Sequence, residues 1–192
     1  EGYVHVGGNL KTKREERRVS ALVRDNIPFK TFKVNTMIPA VGLRVGEWKL
    51  VGVYREWALC GDQETKTKEL QIDRLKDFVE YWQTIRCKSI CVGDFNFDPF
   101  PGTDYQRSLD SIRSCVNDVI LPAGWVQLIR GHTRWEVGQE PAMLDHFYCN
   151  QVDKVERTWN VGCSGYNHNL VGAWLKTYGN LFGAETFEYR DL

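Results

Sequence analysis

The sequence predicts an α/β fold in layers, with β-sheets packed together and helices outside them. Three observations predict it. Strand-like runs fill the first part of the chain and return in the last part. Two stretches at helical spacing lie between them. One short apolar run, "SICVGDF" (89–95), separates those two stretches. The order of strands, helix, strand, helix, strands fits neither simple βαβ alternation nor an all-β sandwich. At 192 residues, 42% hydrophobic and with 7 Trp, the chain suits one domain with a substantial core.

"LKTKREERR" (10–18) is a mixed charge run suited to an exposed turn or hairpin tip. DNA contact by Lys11, Lys13, Arg14, Arg17 or Arg18 is the weaker reading of it. Val19, Ala21 and Val23 alternate with polar positions, as in a half-buried strand. "DNIP" then supplies a turn. "FKTFKV" (29–34), "AVGLRV" (40–45) and "WKLVGVY" (48–54) read as three more strands of an antiparallel meander. From about Gln63 to Cys87 the period changes. Leu75, Phe78, Val79, Trp82 and Ile85 recur at helical spacing with Lys and Glu between them, which marks a helix packed on a sheet. The strand 89–95 follows. Leu109, Ile112, Val116 and Ile120 mark a second helix, ended by Pro122 and Gly124. "WVQLI" (125–129), "MLDHFYC" (143–149), "KVERTWNV" (154–161) and "NLVGAWL" (169–175) are the remaining strands. The tail 177–192 is polar and Gly-rich and reads as a loop or a loosely attached end.

Charge narrows the function classes. Lys and Arg total 25, Asp and Glu 25, so net charge is formally zero. Nucleic-acid binding would therefore need a local positive patch. No apolar run is long enough to span a bilayer, and no secretory apolar segment is visible. The chain opens at Glu1 rather than Met, which suggests a processed product or an excised fragment. The 6 cysteines form no C-x-x-C pair and no zinc-like spacing with His. Several sit in apolar runs, so buried reduced thiols are the expectation. That points to an intracellular location, the nucleus among the options.

Four polar clusters lie at predicted strand ends: Tyr54 with Arg55, "GDFN" (93–96), "LDH" (144–146) and "YNHN" (166–169). Each alone has an ordinary explanation. "GDFN" is suited to an Asx turn capped by Asp94. "LDH" is suited to a satisfied buried pair, and Tyr54 to a core or interface tyrosine. Together, in this order, they carry more. "GVYREW" (52–57), "VGDFNFD" (92–98), "GHTRW" (131–135), "MLDHFYCN" (143–150) and "GYNHNLV" (165–171) resemble the endonuclease/exonuclease/phosphatase superfamily, which includes DNase I and the abasic-site endonucleases. The pattern is most similar to the endonuclease domain of non-LTR retrotransposons. The resemblance covers residues 1–176 as one domain.

It implies a DNase I-like four-layer sandwich, two β-sheets face to face and flanked by helices. It also implies Mg²⁺-dependent phosphodiester hydrolysis that nicks DNA. Such chemistry needs an activated water, charge stabilisation on phosphoryl oxygens and relief for the leaving alkoxide. Mg²⁺ takes hard oxygen ligands, so carboxylates and amides are suitable neighbours. By the resemblance, Asp94 would orient or deprotonate the water, and Asn96 would hold that water or a phosphate oxygen. His168 would donate to a phosphoryl oxygen, and Asp145 would accept from its other ring nitrogen. Tyr54 would donate to the phosphate or the leaving group. Arg55 would line the nucleic-acid groove; Thr133 and Trp135 would shape that groove, where an aromatic can stack or wedge, or equally would pack in the core. Asp98 reads as an ordinary loop residue.

Two departures weaken the metal site. The family's opening strands, with a catalytic Asn and a metal-binding Glu, have no counterpart here. Asn167 stands where the family has a metal-binding Asp, and an amide coordinates without charge. Mg²⁺ binding is thus expected to be weak or lost. Without the opening strands, exposed strand edges are expected to favour self-association. The enzyme assignment stays open at this point. The alternatives are an inactive retroelement-derived structural, assembly or nucleic-acid-binding domain, and a phosphatase of small phosphate esters.

Overall fold

The computed structural model describes residues 2–9, 18–56, 68–100 and 110–176. The expected hairpin tip (all but Arg18), Cys60, Leu109 and the tail 177–192 lie outside them. In chain order the strands are β1 (Tyr3–Gly7), β2 (Ser20–Arg24), β3 (Phe29–Phe32), β4 (Ala40–Val45) and β5 (Trp48–Tyr54). Helix α1 (Lys68–Gln83), strand β6 (Ser89–Asp94) and helix α2 (Asp110–Ile120) follow. Then come β7 (Val126–Gln127), β8 (Asp145–Cys149), a 3₁₀ turn (Val152–Lys154), β9 (Val155–Val161) and β10 (Leu170–Leu175).

The main sheet has six strands in the order β3-β4-β5-β6-β8-β7. All its pairs are antiparallel except β5 with β6, which are joined through α1 and run parallel. A helical crossover is what a parallel pair requires. Two further antiparallel pairs stand apart, β1 with β2 and β9 with β10. Strand β1 is not among the expected strands. Val4 and Val6 alternate with His5, but its first three residues are all exposed, so burial does not follow that alternation.

Alternation along the strands divides the core into two layers. Val51, Val53, Cys91 and Tyr148 face the helices, where Leu75, Phe78, Val79 and Trp82 of α1 and Ile112, Val116 and Ile120 of α2 meet them. Trp82 is fully buried at the centre of this layer, its ring 4.9 Å from Tyr148 and 5.2 Å from Trp125. On the opposite face, Trp48, Ile90, Phe147 and Cys149 pack with Val155, Val171, Ala173 and Leu175 of the small β9–β10 sheet. The expected α/β class, with two sheets face to face and helices outside, is therefore the observed one. Among the described residues, no helix lies outside the β9–β10 pair. Its outer side instead exposes Trp159, Val161, Leu170 and Trp174.

Local signals explain the boundaries. Helix α2 opens with Asp110 in its first turn, favourable at the positive end of the helix dipole. It stops where Gly124 takes φ 88° and donates to the Leu121 carbonyl. The five described cysteines carry free thiols. No described helix is long and apolar enough to cross a membrane.

Gly93 sets the approach of β5 to β6. Its φ is +154°, and a Cβ there would lie 1.9 Å from the Val53 carbonyl oxygen, on the paired strand. Gly93→Ala must therefore push two central strands apart. We expect a loss of about 3 kcal/mol or more in urea unfolding. A loss below about 1 kcal/mol would contradict this packing.

Candidate active site

The same alternation that builds the core places polar groups at one end of the main sheet. Tyr54 pairs with Asp94 in the β5–β6 register, and Asp94 pairs with Asp145 in the β6–β8 register. Tyr54 follows Trp48, Leu50 and Gly52 at intervals of two, and Asp94 follows Ile90 and Val92. All three side chains thus belong to the face that meets the small sheet. His168 lies just ahead of β10, at the edge of the small sheet. Its Nδ1 is 2.8 Å from Asp145 Oδ2. One ligand-type atom each from Asp94, Asp145 and His168 falls within 4.8 Å of the others. Two sheets are thus joined by one histidine–carboxylate pair.

The segment around Thr133 fixes this junction. Thr133 is fully buried, and its hydroxyl oxygen accepts from the amides of Leu144 and Asp145, both at 2.9 Å. The Thr133 carbonyl accepts from Asn169 N, and Trp135 N donates to the Asn167 carbonyl. The segments carrying Asp145 and His168 are therefore pinned through one short stretch of backbone. Of the two expectations for Thr133, groove and core, the core is the observed one, since it has no exposed surface.

A correction concerns Arg55. It is only 3% exposed. Its Nε donates to the Phe95 carbonyl and its Nη2 to the Asn96 carbonyl, each at 2.5 Å. A side chain so engaged cannot reach DNA. Alternation along β5 explains the reversal: Tyr54 points to the small sheet, so Arg55 points to α1, where Gln71 Oε1 accepts from it at 3.2 Å. Asp98 is the second correction. It is buried, not an ordinary loop residue, and its two oxygens accept the amides of Phe100 and Met143. With both oxygens engaged, it does not join the Asp94–Asp145–His168 group.

Asn96 is nearly buried and takes φ 50°, the one left-handed non-glycine among the described residues. Its side-chain Nδ2 donates to the Arg55 carbonyl at 2.6 Å. Its backbone N donates to Asp94 Oδ1 at 2.9 Å, which is the Asx turn expected for "GDFN". His146, beside Asp145, turns to the helix side. It is fully buried and stacks on Phe95 at 4.8 Å. Its Nε2 faces the Phe97 and Met143 carbonyls, so that nitrogen carries the proton and Nδ1 accepts from the Tyr148 hydroxyl. Burial lowers its pKa to about 4, and it is neutral.

Around the site, Trp135 is 46% and Tyr166 77% exposed. Tyr166 opens the "YNHN" cluster, where the sequence assigns it no role of its own. Asn167 is exposed beside His168, with its carbonyl tied to Trp135. Arg134 pairs with Glu136, which moderates the positive charge next to His168.

The electrostatics follow from this crowding. Burial, and then the Asp145 charge, push the Asp94 carboxyl up to about 6, against the pull of the Asn96 amide, His168 and Arg55. His168 is raised, chiefly by its hydrogen bond to Asp145. The donor set fits a divalent cation that prefers oxygen, since two carboxylates crowd one pocket and a cation would relieve their repulsion.

The raised Asp94 pKa has a consequence for stability. A carboxyl whose folded pKa exceeds its unfolded value binds its proton more tightly in the folded state. Folding is then penalised as pH rises from about 4 to about 6, and the penalty persists above. Asp94→Asn should therefore stabilise the metal-free chain at pH 7.5 by about 2 kcal/mol. The gain should vanish by about pH 3.5. Thermal melts at both pH values check this, and a variant less stable than wild type at pH 7.5 contradicts it.

No family model matches the chain, and no curated protein matches it either. Solved structures do. An AP endonuclease from Archaeoglobus fulgidus superposes with a TM-score of 0.68 at 12% identity, over 92% of this chain and 80% of that one. The endonuclease domain of TRAS1, a telomere-specific non-LTR retrotransposon, gives 0.61 at 16% identity, over 92% and 81%. NExo from Neisseria, described as a 3′ phosphatase bound to a product DNA hairpin, gives 0.59 at 16% identity, over 91% and 79%. A second NExo structure, described as a 3′-5′ exonuclease from Neisseria meningitidis, gives 0.54 at 16% identity, over 72% of this chain and 65% of that one, less than two thirds of its length. At such identities the likeness establishes the fold alone: the chain shares the DNase I-like α/β fold of these structures.

Proposed function

We propose that the crevice between the two sheets hydrolyses a DNA phosphodiester with Mg²⁺, as an endonuclease that nicks one strand. One observation carries this reading. Tyr54, Asp94 and Asp145 stand in register across three adjacent strands, and His168 from the other sheet bonds to Asp145. The endonuclease titles of the structural neighbours, and the DNA hairpin bound to one of them, support DNA as the substrate.

In this reading Asp94 accepts the proton of the attacking water. A base with a pKa near 6 is ionised at neutral pH yet strong enough to serve. Asp145 holds His168 through Nδ1, and the raised pKa keeps Nε2 protonated to donate to a phosphoryl oxygen. Tyr54 donates to the phosphate or the leaving oxygen. Asn96 has one amide proton left for water or phosphate after its bond to Arg55. Asp145 would hold the cation, with Asn167 as the neutral ligand beside it, and Asp94 would stay free to act as base. Bound there, Mg²⁺ would supply charge neutralisation at the phosphoryl group. Trp135, with its ring partly exposed, would stack against a base.

A supercoiled plasmid incubated with Mg²⁺ should be nicked. EDTA or Asp94→Ala should reduce the rate at least about 100-fold. No nicking by the wild type, or nicking indifferent to Asp94, removes the hydrolase reading. The pH profile of kcat/KM should be bell-shaped. It should rise as Asp94 ionises, at or below the metal-free value of about 6 because the cation favours the carboxylate, and fall, above the ordinary imidazole range, as His168 loses its proton. His168→Gln should abolish the falling limb. Self-association is also proposed, supported by the exposed Trp159, Leu170 and Trp174 on the β9–β10 pair. Sedimentation showing a monomer at all concentrations counts against it.

A further inference from the structure

We propose that Arg55 is a positioning residue, which sets the Asp94–Asn96 turn and through it the place of Asp94 opposite Asp145 and His168. Its kinetic consequence rests on the hydrolase reading above, but its structural consequence does not. The turn needs an external support. Asn96 adopts a left-handed backbone, a conformation that costs energy for any residue with a Cβ. The two carbonyls that bracket this kink, of Phe95 and Asn96, both accept from the Arg55 guanidinium. The Arg55 main chain completes the frame. Its N donates to the Asp94 carbonyl at 2.9 Å, and its carbonyl accepts from the Asn96 side-chain amide. A single residue thus meets three consecutive residues of the turn, on both its edges.

The choice of arginine follows from this geometry. Two carbonyls on neighbouring residues need two N–H groups in one plane, which a guanidinium offers and an ammonium does not. The remaining arm reaches Gln71 Oε1 on α1 and the Glu56 carbonyl. The helix is thereby linked to the turn through a side chain almost wholly shielded from solvent. A buried cation is costly unless its N–H groups are used and a negative group lies near. Asp94 supplies that group, and the two charges favour each other across the turn. An apolar residue at position 55 could pack on the helix side, but it would leave both carbonyls buried without these donors.

The experiment compares wild type with Arg55→Lys, which keeps the charge and loses the paired donors. Two readouts are taken: the nicking kinetics with Mg²⁺, and the ¹⁵N NMR signals of the Asn96 backbone and side-chain amides. Expected are a kcat lower by about 10- to 100-fold with KM for DNA changed less than about 3-fold, and displaced Asn96 signals with faster hydrogen exchange. Arginine restored to the variant should recover both. Unchanged Asn96 signals in folded Arg55→Lys overturn the proposal. So does a raised KM at constant kcat, which would make Arg55 a DNA contact. If the lysine variant does not fold, Gln71→Met removes one acceptor while keeping Arg55, and it should shift the same signals in the same direction. Unmoved signals there also overturn the proposal. A wild type that does not nick sinks the hydrolase reading alone, and the Asn96 signals still decide the role of Arg55.

Discussion

Two carboxylates directly opposite each other on adjacent strands repel, and the structure around Asp94 and Asp145 is organised by that repulsion. Like charges in such a cross-strand pair are destabilising unless something intervenes. Here three groups do. His168 bonds Asp145 from the small sheet, the Asn96 backbone amide bonds Asp94, and Arg55 lies behind the turn. They do not fully offset the cost of the charge: burial raises the Asp94 pKa most, and the Asp145 carboxylate adds to it. A site that stores unfavourable charge in its resting state is suited to accept a cation or to take a proton from a substrate.

The architecture supplies the means. Tyr54, Asp94 and Asp145 need only the regular pleat and a shared register to face the same crevice. His168 cannot come from that sheet, because it must approach its carboxylate partner from the opposite side. A second sheet therefore has to be docked on the first. Val155, Val171, Ala173 and Leu175 provide the apolar contact. The Thr133 segment provides the polar one, tying β8 to the approach of β10 at a single height. Packing sets how close the layers lie, and hydrogen bonds set where along the strands they stop.

Much of this is legible in the sequence. The α/β class, both helices and nearly every strand of the main sheet follow from apolar periodicity. The convergence of Asp94, Asp145 and His168 is what the resemblance of their motifs implies. What motif order does not supply is the side on which each polar residue emerges. Tyr54 and Arg55 are neighbours in sequence and point to opposite layers, so treating them as one cluster misplaces Arg55. The same holds for Asp145 and His146. Asp98 is undervalued by sequence because its partners, Phe100 and Met143, include a residue far away in the chain. The motif leaves Thr133 open between groove and core, and only its burial reveals it as a structural tie. Strand β1 offers only the short alternation of Val4 and Val6 around His5, too brief to mark a strand by itself.

The histidine and its carboxylate belong to elements of unequal cohesion. Asp145 sits in a sheet of six strands braced by two helices, whereas His168 rides on a pair of strands with one docked side. Sub-global opening requires less free energy where fewer apolar contacts are broken. On warming, the hairpin should lift away while the larger body stays intact. The chain would then lose its His168–Asp145 connection at a temperature where spectroscopy still reports a folded protein.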